Sequence, residues 1–182
     1  MNFETGQNAN ILSFRGKTPQ IHKTVFICSG VHIIGDVIIG KNSSVWYNSV
    51  IRGDVNYIRI GEKTNIQDMC MLHVTHDTYP LNIGNNVTVA HSVTLHGCTI
   101  ESNSLIGIGA IVLDGAKVEQ NCLVAAGSLI KENFIVPSGT LVAGVPGKII
   151  RDLTYEEINK IIQTSKNYLK YIKEYRSLLK NS

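Results

Sequence analysis

The sequence predicts an all-β chain, a parallel β-helix built from six-residue repeats and closed by one C-terminal α-helix. Three observations carry that expectation. An aliphatic residue recurs every sixth position through twenty hexads, a self-similarity that fixes architecture before any local propensity is considered. Within most hexads the fifth residue is small or β-branched, and Gly, Asn and Asp crowd the positions between. Where the repeat stops, the hydrophobic period changes from six to the 3.6 of a helix.

The chain opens with a lead-in strand, residues 1–20. The lead positions then run Ile21, Ile27, Ile33, Ile39, Val45 and Ile51, and resume after a three-residue slip at Ile60, Ile66 and Leu72. A five-residue insertion precedes Ile83, Val89 and Leu95, and a one-residue deletion leads to Ile100, Ile106, Val112, Val118, Val124, Ile130, Val136 and Val142. Fifth positions such as Val25, Ser43, Ser49, Val55, Thr64, Cys70 and Thr99 lie two residues before the next lead, so both are expected to point inward along a short strand. His76, Phe134 and Pro146 depart from that pattern. The intervening residues tolerate the left-handed backbone of a corner.

Strand, corner, strand, corner at this period defines a prism over 21–147. The hexads resemble those of left-handed triangular β-helices, with three per coil. The handedness rests on that resemblance, because parallel crossovers are ordinarily right-handed. Twenty hexads make nearly seven coils and a prism roughly 30 Å long at about 4.8 Å per coil. Thr154 and Glu157 form a capping box. Ile158, Ile161, Ile162, Ser165, Leu169, Ile172 and Leu179 form the apolar stripe of a helix over 154–180, folded back along the prism.

Composition narrows the functional classes. A net charge of +3 with no basic block argues against nucleic acid. No apolar run reaches the roughly 20 residues of a membrane span, and the N-terminus lacks the pattern of a signal peptide. Four dispersed cysteines without a C-x-x-C pair suit a reducing cytoplasm. Cys70 and Cys122 fall at inward positions, and Cys98 reads as core rather than ligand.

Coil positions give the histidines their meaning. If Ile60, Ile66 and Leu72 are the three faces of one coil, Ile83, Val89 and Leu95 are those of the next. His73 and His96 then follow equivalent leads and stack about 5 Å apart, close enough to converge on one ion. His91 occupies a different corner and points away from that pair, where a neighbouring prism could receive it. Complementary half-sites on two corners close naturally into a C3 ring. The pattern therefore suggests a homotrimer with intersubunit metal sites, three histidines and an open position being the arrangement of catalytic zinc. His22 and His32, each alone at its corner, read as solvated side chains. Gln67, at the corner preceding His73, is either a turn cap or an amide that orients hydroxide. Arg52 and Asp54 form a surface ion pair or, at a seam between subunits, set its register.

VIRGD at 50–54, NIQD at 65–68, LH at 72–73 and VAHSVTLHGC at 89–98, with the prism and terminal helix, make nearly the whole chain resemble the gamma-class carbonic anhydrase family. The resemblance implies reversible hydration of carbon dioxide to bicarbonate. It implies that His73 and His96 of one subunit and His91 of the next bind zinc, with iron or cobalt as alternatives. It also implies that Gln67 orients the attacking hydroxide and that Arg52 and Asp54 act beside the site. Tyr168, in KNYLKY, resembles a site-lining tyrosine of bacterial relatives. Two positions depart from the best-characterised branch: Val55 and His76 stand where it carries glutamates, the second of them a proton shuttle. The insertion HVTHDTYPLN, at 73–82, is not acidic, which resembles a shorter branch in which activity is often weak. His76 reads equally as a shuttle, given an imidazole pKa near neutrality, or as a loop residue.

Two other functions fit parts of the pattern. The ending VAGVPGKIIR resembles that of CoA-dependent acyltransferases on the same scaffold, where one corner histidine acts as general base. A metal-holding trimeric scaffold without catalysis would need the same three histidines. Metal content measured together with carbon dioxide hydration separates the three.

Overall fold

The computed structural model describes residue 6 and residues 8–180, with side chains to residue 177. It is a left-handed parallel β-helix with one long helix, α1 (Tyr155–Lys180). Of the lead-in stretch, residues 1–5 and 7 lie outside the described residues, as does the Leu179 side chain of the helical stripe.

Three columns of lead residues form the interior. On the first face Ile27, Val45, Ile66, Val89, Ile106, Val124 and Val142 stand in register. On the second stand Ile11, Ile33, Ile51, Leu72, Leu95, Val112 and Ile130. The third carries Ile21, Ile39, Ile60, Ile83, Ile100, Val118 and Val136. Apart from Ile11 and Ile21, in the first coil, all of them are buried. Each such aliphatic removed from water contributes about 1.5–3 kcal/mol.

Irregularities in the period are absorbed in two ways. Strands His32–Ile39 and Val50–Ile60 run without interruption through the second and third faces, and the three-residue slip is a bulge where their register shifts. The five-residue insertion instead leaves the prism as a loop, closed by a bridge between Thr75 and Tyr79. At each irregularity the inward residue is the one two before the following lead. Ile58, Leu81 and Cys98 are therefore buried, whereas Val55 and Thr99 are only partly so and His76 is exposed. Counting forward from the preceding lead misplaces those three because the pleat is set by the strand that follows.

Hydroxyls at fifth positions tie the coils together inside the core. Thr64 Oγ1 donates to Gly84 O (2.7 Å) and accepts from Val87 N (3.1 Å). Ser49 does the same with Gln67 O and Cys70 N, and Ser104 with Glu119 O and Cys122 N. The far end of the first face is covered by an antiparallel strand, Lys148–Asp152, paired with Thr140–Ala143.

Helix α1 starts at the expected box: Glu157 N donates to Thr154 Oγ1 and Thr154 N to Glu157 Oε2. A paired Arg151 guanidinium, followed by the Thr154 amide, holds the Glu157 carboxyl down at about 2. The helix then runs back toward the first coils. Ser165 Oγ donates to Lys63 O (2.7 Å), and further on Arg176 donates to Thr24 O (3.0 Å). Its Tyr168, Leu169, Ile172 and Tyr175 pack on Phe26, Cys28 and Trp46 of the first face. Among the described residues no helix is long and apolar enough to cross a membrane.

Thr64→Val keeps the shape of the core but leaves the part-buried Gly84 carbonyl and the buried Val87 amide without that hydroxyl. It should lower unfolding free energy by about 2 kcal/mol, read from the denaturant midpoint at unchanged m-value.

Candidate metal centre

The corner after the second face carries two of the three histidines expected as ligands. Met71–His73 and Thr94–His96 pair in register, so His96 lies directly over His73. Their ring centroids are 5.1 Å apart, and His73 Nδ1 faces His96 Nε2 at 3.1 Å. The other nitrogen of each ring meets a carboxylate: His73 Nε2 lies 3.0 Å from Asp54 Oδ1, and His96 Nδ1 lies 2.6 Å from Asp114 Oδ1. Arg52 donates to the second oxygen of Asp54.

These partners decide the tautomers, which are assigned from the hydrogen bonds. A neutral imidazole that donates to a carboxylate through one nitrogen offers only a lone pair on the other. In that state His73 Nδ1 and His96 Nε2 are both acceptors facing each other, an arrangement that favours a shared cation. Two ligands bound at 2.0–2.1 Å in tetrahedral geometry would lie about 3.3 Å apart, so the pair fits one edge of such a site. Burial, then the charge of Arg52, pushes His73 below the usual imidazole range against the pull of Asp54, favouring the neutral ligand form. Burial pushes Asp54 up, but hydrogen bonds from Arg52 and His73 outweigh it and hold the carboxyl below its ordinary range.

The third expected ligand, His91, lies at the corner after the first face. Because Ile66 pairs with Val89, Asp68 stacks under His91, and Asp68 Oδ2 lies 2.8 Å from His91 Nδ1. The His91 side chain is 46% exposed, against 18% for His73, and its Nε2 is not engaged by that carboxylate. Met69 and Ser92, at the same corner, hold φ near +60° and +58°, a region such residues seldom occupy. Gln67 also belongs to this corner, not to that of His73 and His96. It is buried, and its Nε2 donates to Asn65 Oδ1 (3.1 Å), which leaves its carbonyl oxygen as the acceptor. Tyr168 reaches the same place from α1: with Trp46, Tyr47, Asp68, His91, Tyr171 and Tyr175 it lines a cavity of about 300 Å³.

Among the described residues of this chain, no group of three His, Cys, Asp or Glu side chains is gathered to hold an ion. The structure brings together His73, His96, Asp54 and Arg52 on one corner, and His91, Gln67 and Tyr168 on another. His76 joins neither; it is exposed on the inserted loop and paired with Asp77 (2.9 Å). Cys98 is buried in the core, where burial raises its thiol pKa. His32 is half-buried, its Nδ1 3.3 Å from Asn10 Nδ2, rather than fully solvated. The carboxylates of Asp68 and Asp114 escaped the sequence reading. Asp68 was legible as the residue one coil below His91. Asp114 lies one coil above Gly97, and only its side-chain reach brings it to His96.

The profile of the bacterial transferase hexapeptide family (six repeats) matches residues 18–53 and 97–132. A probable carbonic anhydrase of Methanocaldococcus jannaschii is 56% identical over 153 residues, covering 84% of this chain and 94% of its own length. The mitochondrial gamma carbonic anhydrase 2 of Arabidopsis thaliana is 45% identical over 90% of this chain, which spans 60% of that longer protein. Among solved structures, a hexapeptide transferase family protein from Anaplasma phagocytophilum superposes with a TM-score of 0.87 at 43% identity, covering 91% of this chain and 98% of that one. The fold and repeats define a hexapeptide-repeat protein. Within that class, the chain belongs to the gamma carbonic anhydrase family.

Burial, followed by the charge of Asp68, pushes the Tyr168 phenol up to about 12. Native stability should be unaffected by this group below about pH 10, where an unfolded tyrosine begins to ionise, and should decline as pH rises from there through about 12. Absorbance titration at 295 nm should show a late-ionising class of tyrosines that loses one member in Tyr168→Phe.

Proposed function

We propose that the protein is a carbonic anhydrase-like enzyme interconverting carbon dioxide and bicarbonate at metal sites shared between the subunits of a homotrimer. The reading rests chiefly on the stacked His73 and His96, whose facing nitrogens are both acceptors once Asp54 and Asp114 are satisfied. His91, backed by Asp68 on another corner, would complete the set from a neighbouring chain. Both corners border the second face. Its outward residues Met71 and Ile111 are exposed, as are Met69 and Ile108 at the His91 corner, which supports burial of that face between copies of the chain. The carbonic anhydrase relatives support the reaction class.

Bound there, zinc, or alternatively iron or cobalt, supplies the Lewis acidity that brings the ionisation of water towards neutrality. The chain's own residues do the rest. Asp54, Asp68 and Asp114 hold each imidazole in one tautomer and one orientation. Gln67 presents a fixed carbonyl acceptor that can orient the attacking hydroxyl, and Arg52 holds Asp54 in place. Each hydration turnover leaves a proton to be carried away, for which the exposed His76 is the candidate. Without an acidic loop, turnover should rise with buffer concentration; a rate that stays flat across a wide range would remove proton transfer from the limiting step.

Acyl transfer on the same scaffold needs only one corner histidine and leaves the paired rings and their carboxylates without a role.

Subunit mixing tests the shared site. His91→Ala and His73→Ala trimers should each lose zinc and carbon dioxide hydration. Random mixing of the two chains should restore roughly a quarter of wild-type zinc, because each mixed ring regains one intact pair of half-sites. Full zinc in His91→Ala, or no recovery on mixing, would overturn the intersubunit reading. A metal-free wild-type protein that acetylates a hydroxyl substrate would overturn the reaction.

A further inference from the structure

The loop inserted between the second and third faces is held against the corner rather than projecting from it. Val74 is buried, and Thr75 N donates to Tyr79 O (3.1 Å). Asn56 Nδ2 donates to Thr75 O (3.1 Å). Tyr79 lies over Gly97 and Gly115. A Cβ at Gly97 would come within 2.7 Å of Tyr79 Cβ and would also strike Asp114, while one at Gly115 would come within 3.0 Å of the tyrosine ring. Both glycines hold positive φ, +52° and +68°, so an L side chain is doubly disfavoured at each. The loop thus rests on bare backbone one residue after His96.

From this position Thr75 Oγ1 donates to Asp114 Oδ2 at 2.7 Å, while Asp114 Oδ1 accepts from His96 Nδ1 at 2.6 Å. Asp54 meets the corresponding need of His73 differently, with Arg52 on its second oxygen. At Asp114 the inserted loop takes the place of the arginine.

We propose that the inserted loop is a positioning strap for His96, acting through a relay from the Thr75 hydroxyl to the Asp114 carboxylate to the imidazole. Thr75 and Asp114 are positioning residues. They fix the ring so that Nε2 faces His73, and closure of the loop over Gly97 and Gly115 is coupled to that orientation. The consequence for zinc rests on the metal-site reading above; the relay itself exists in the metal-free chain.

The test uses Thr75→Val, Thr75→Ser and Asp114→Asn in the full-length protein, with two readouts. In metal-free protein carrying 15N-histidine, the His96 Nδ1 proton should exchange with water about tenfold faster in Thr75→Val, the factor expected for one lost hydrogen bond, and at the wild-type rate in Thr75→Ser. By chelator competition, Thr75→Val should weaken zinc binding about tenfold, the lower end of the effect of losing an outer partner of a ligand. In an Asp114→Asn background it should weaken binding no further. Unchanged proton exchange in Thr75→Val would overturn the strap, as would an equal loss of affinity in both backgrounds. A wild-type protein that binds no zinc, with exchange still responding to Thr75→Val, would overturn the metal reading and leave the strap standing.

Discussion

Parallel hydrogen bonding between successive coils sets each residue directly over its counterpart, about 4.8 Å away, whatever number of residues separates them in sequence. His73 and His96 are 23 apart and Asp68 and His91 also 23, yet each pair stands in one column. The interior enforces this register. A lead residue that slipped by one position would turn its whole strand inside out, and the coil-bridging hydroxyls of Ser49, Thr64 and Ser104 would lose their partners. The core therefore does more than stabilise the prism: it fixes which polar residues stack on one another at the corners.

On that frame, electrostatics selects what a corner can do. A single corner histidine can turn to water and satisfy itself. Two stacked histidines, each committed to a carboxylate on its far side, cannot both be satisfied by each other. Neutral, they present lone pair to lone pair; protonating one would place a charge beside Arg52, which together with burial holds His73 below its ordinary range. A cation between them would resolve the conflict, and Asp54 and Asp114 would contribute negative charge to offset it. His91 and Asp68 repeat the motif once, on the other corner.

The prism, its coil pairing and the helix cap were legible because each rests on a strict period or a local motif. The columns of lead residues follow directly from the six-residue count. What the count misplaced lies at its breaks: Ile58, Leu81 and Cys98 face inward because the strand after an irregularity sets the pleat. Asp68 could have been found by stacking alone. Asp114 could not, since its contact with His96 crosses from one coil to the next by side-chain reach, and Thr75 lies in the loop made by the five-residue insertion, whose path the hexad count does not set. The strand Lys148–Asp152 turns back antiparallel, and a parallel repeat carries no signal for it.

The three faces of the prism are not equivalent, and their differences bear on function more than the fold itself does, since the same prism serves unrelated chemistries. The first face is covered by α1 through Phe26, Cys28 and Trp46. The third carries ion pairs such as Lys117 with Glu101 and Arg59 with Asp36, which suit contact with water. Among the described residues the second has neither cover nor charge at its centre: Met71 and Ile111 are exposed, and the two histidine corners form its edges. Turning that face of three copies toward a common threefold axis would bury apolar surface and bring unlike corners of neighbouring chains together in one step. On the proposed reading, the contact that satisfies the face and the contact that would complete the metal set would be the same, and assembly would be tied to activity through the geometry of a single face.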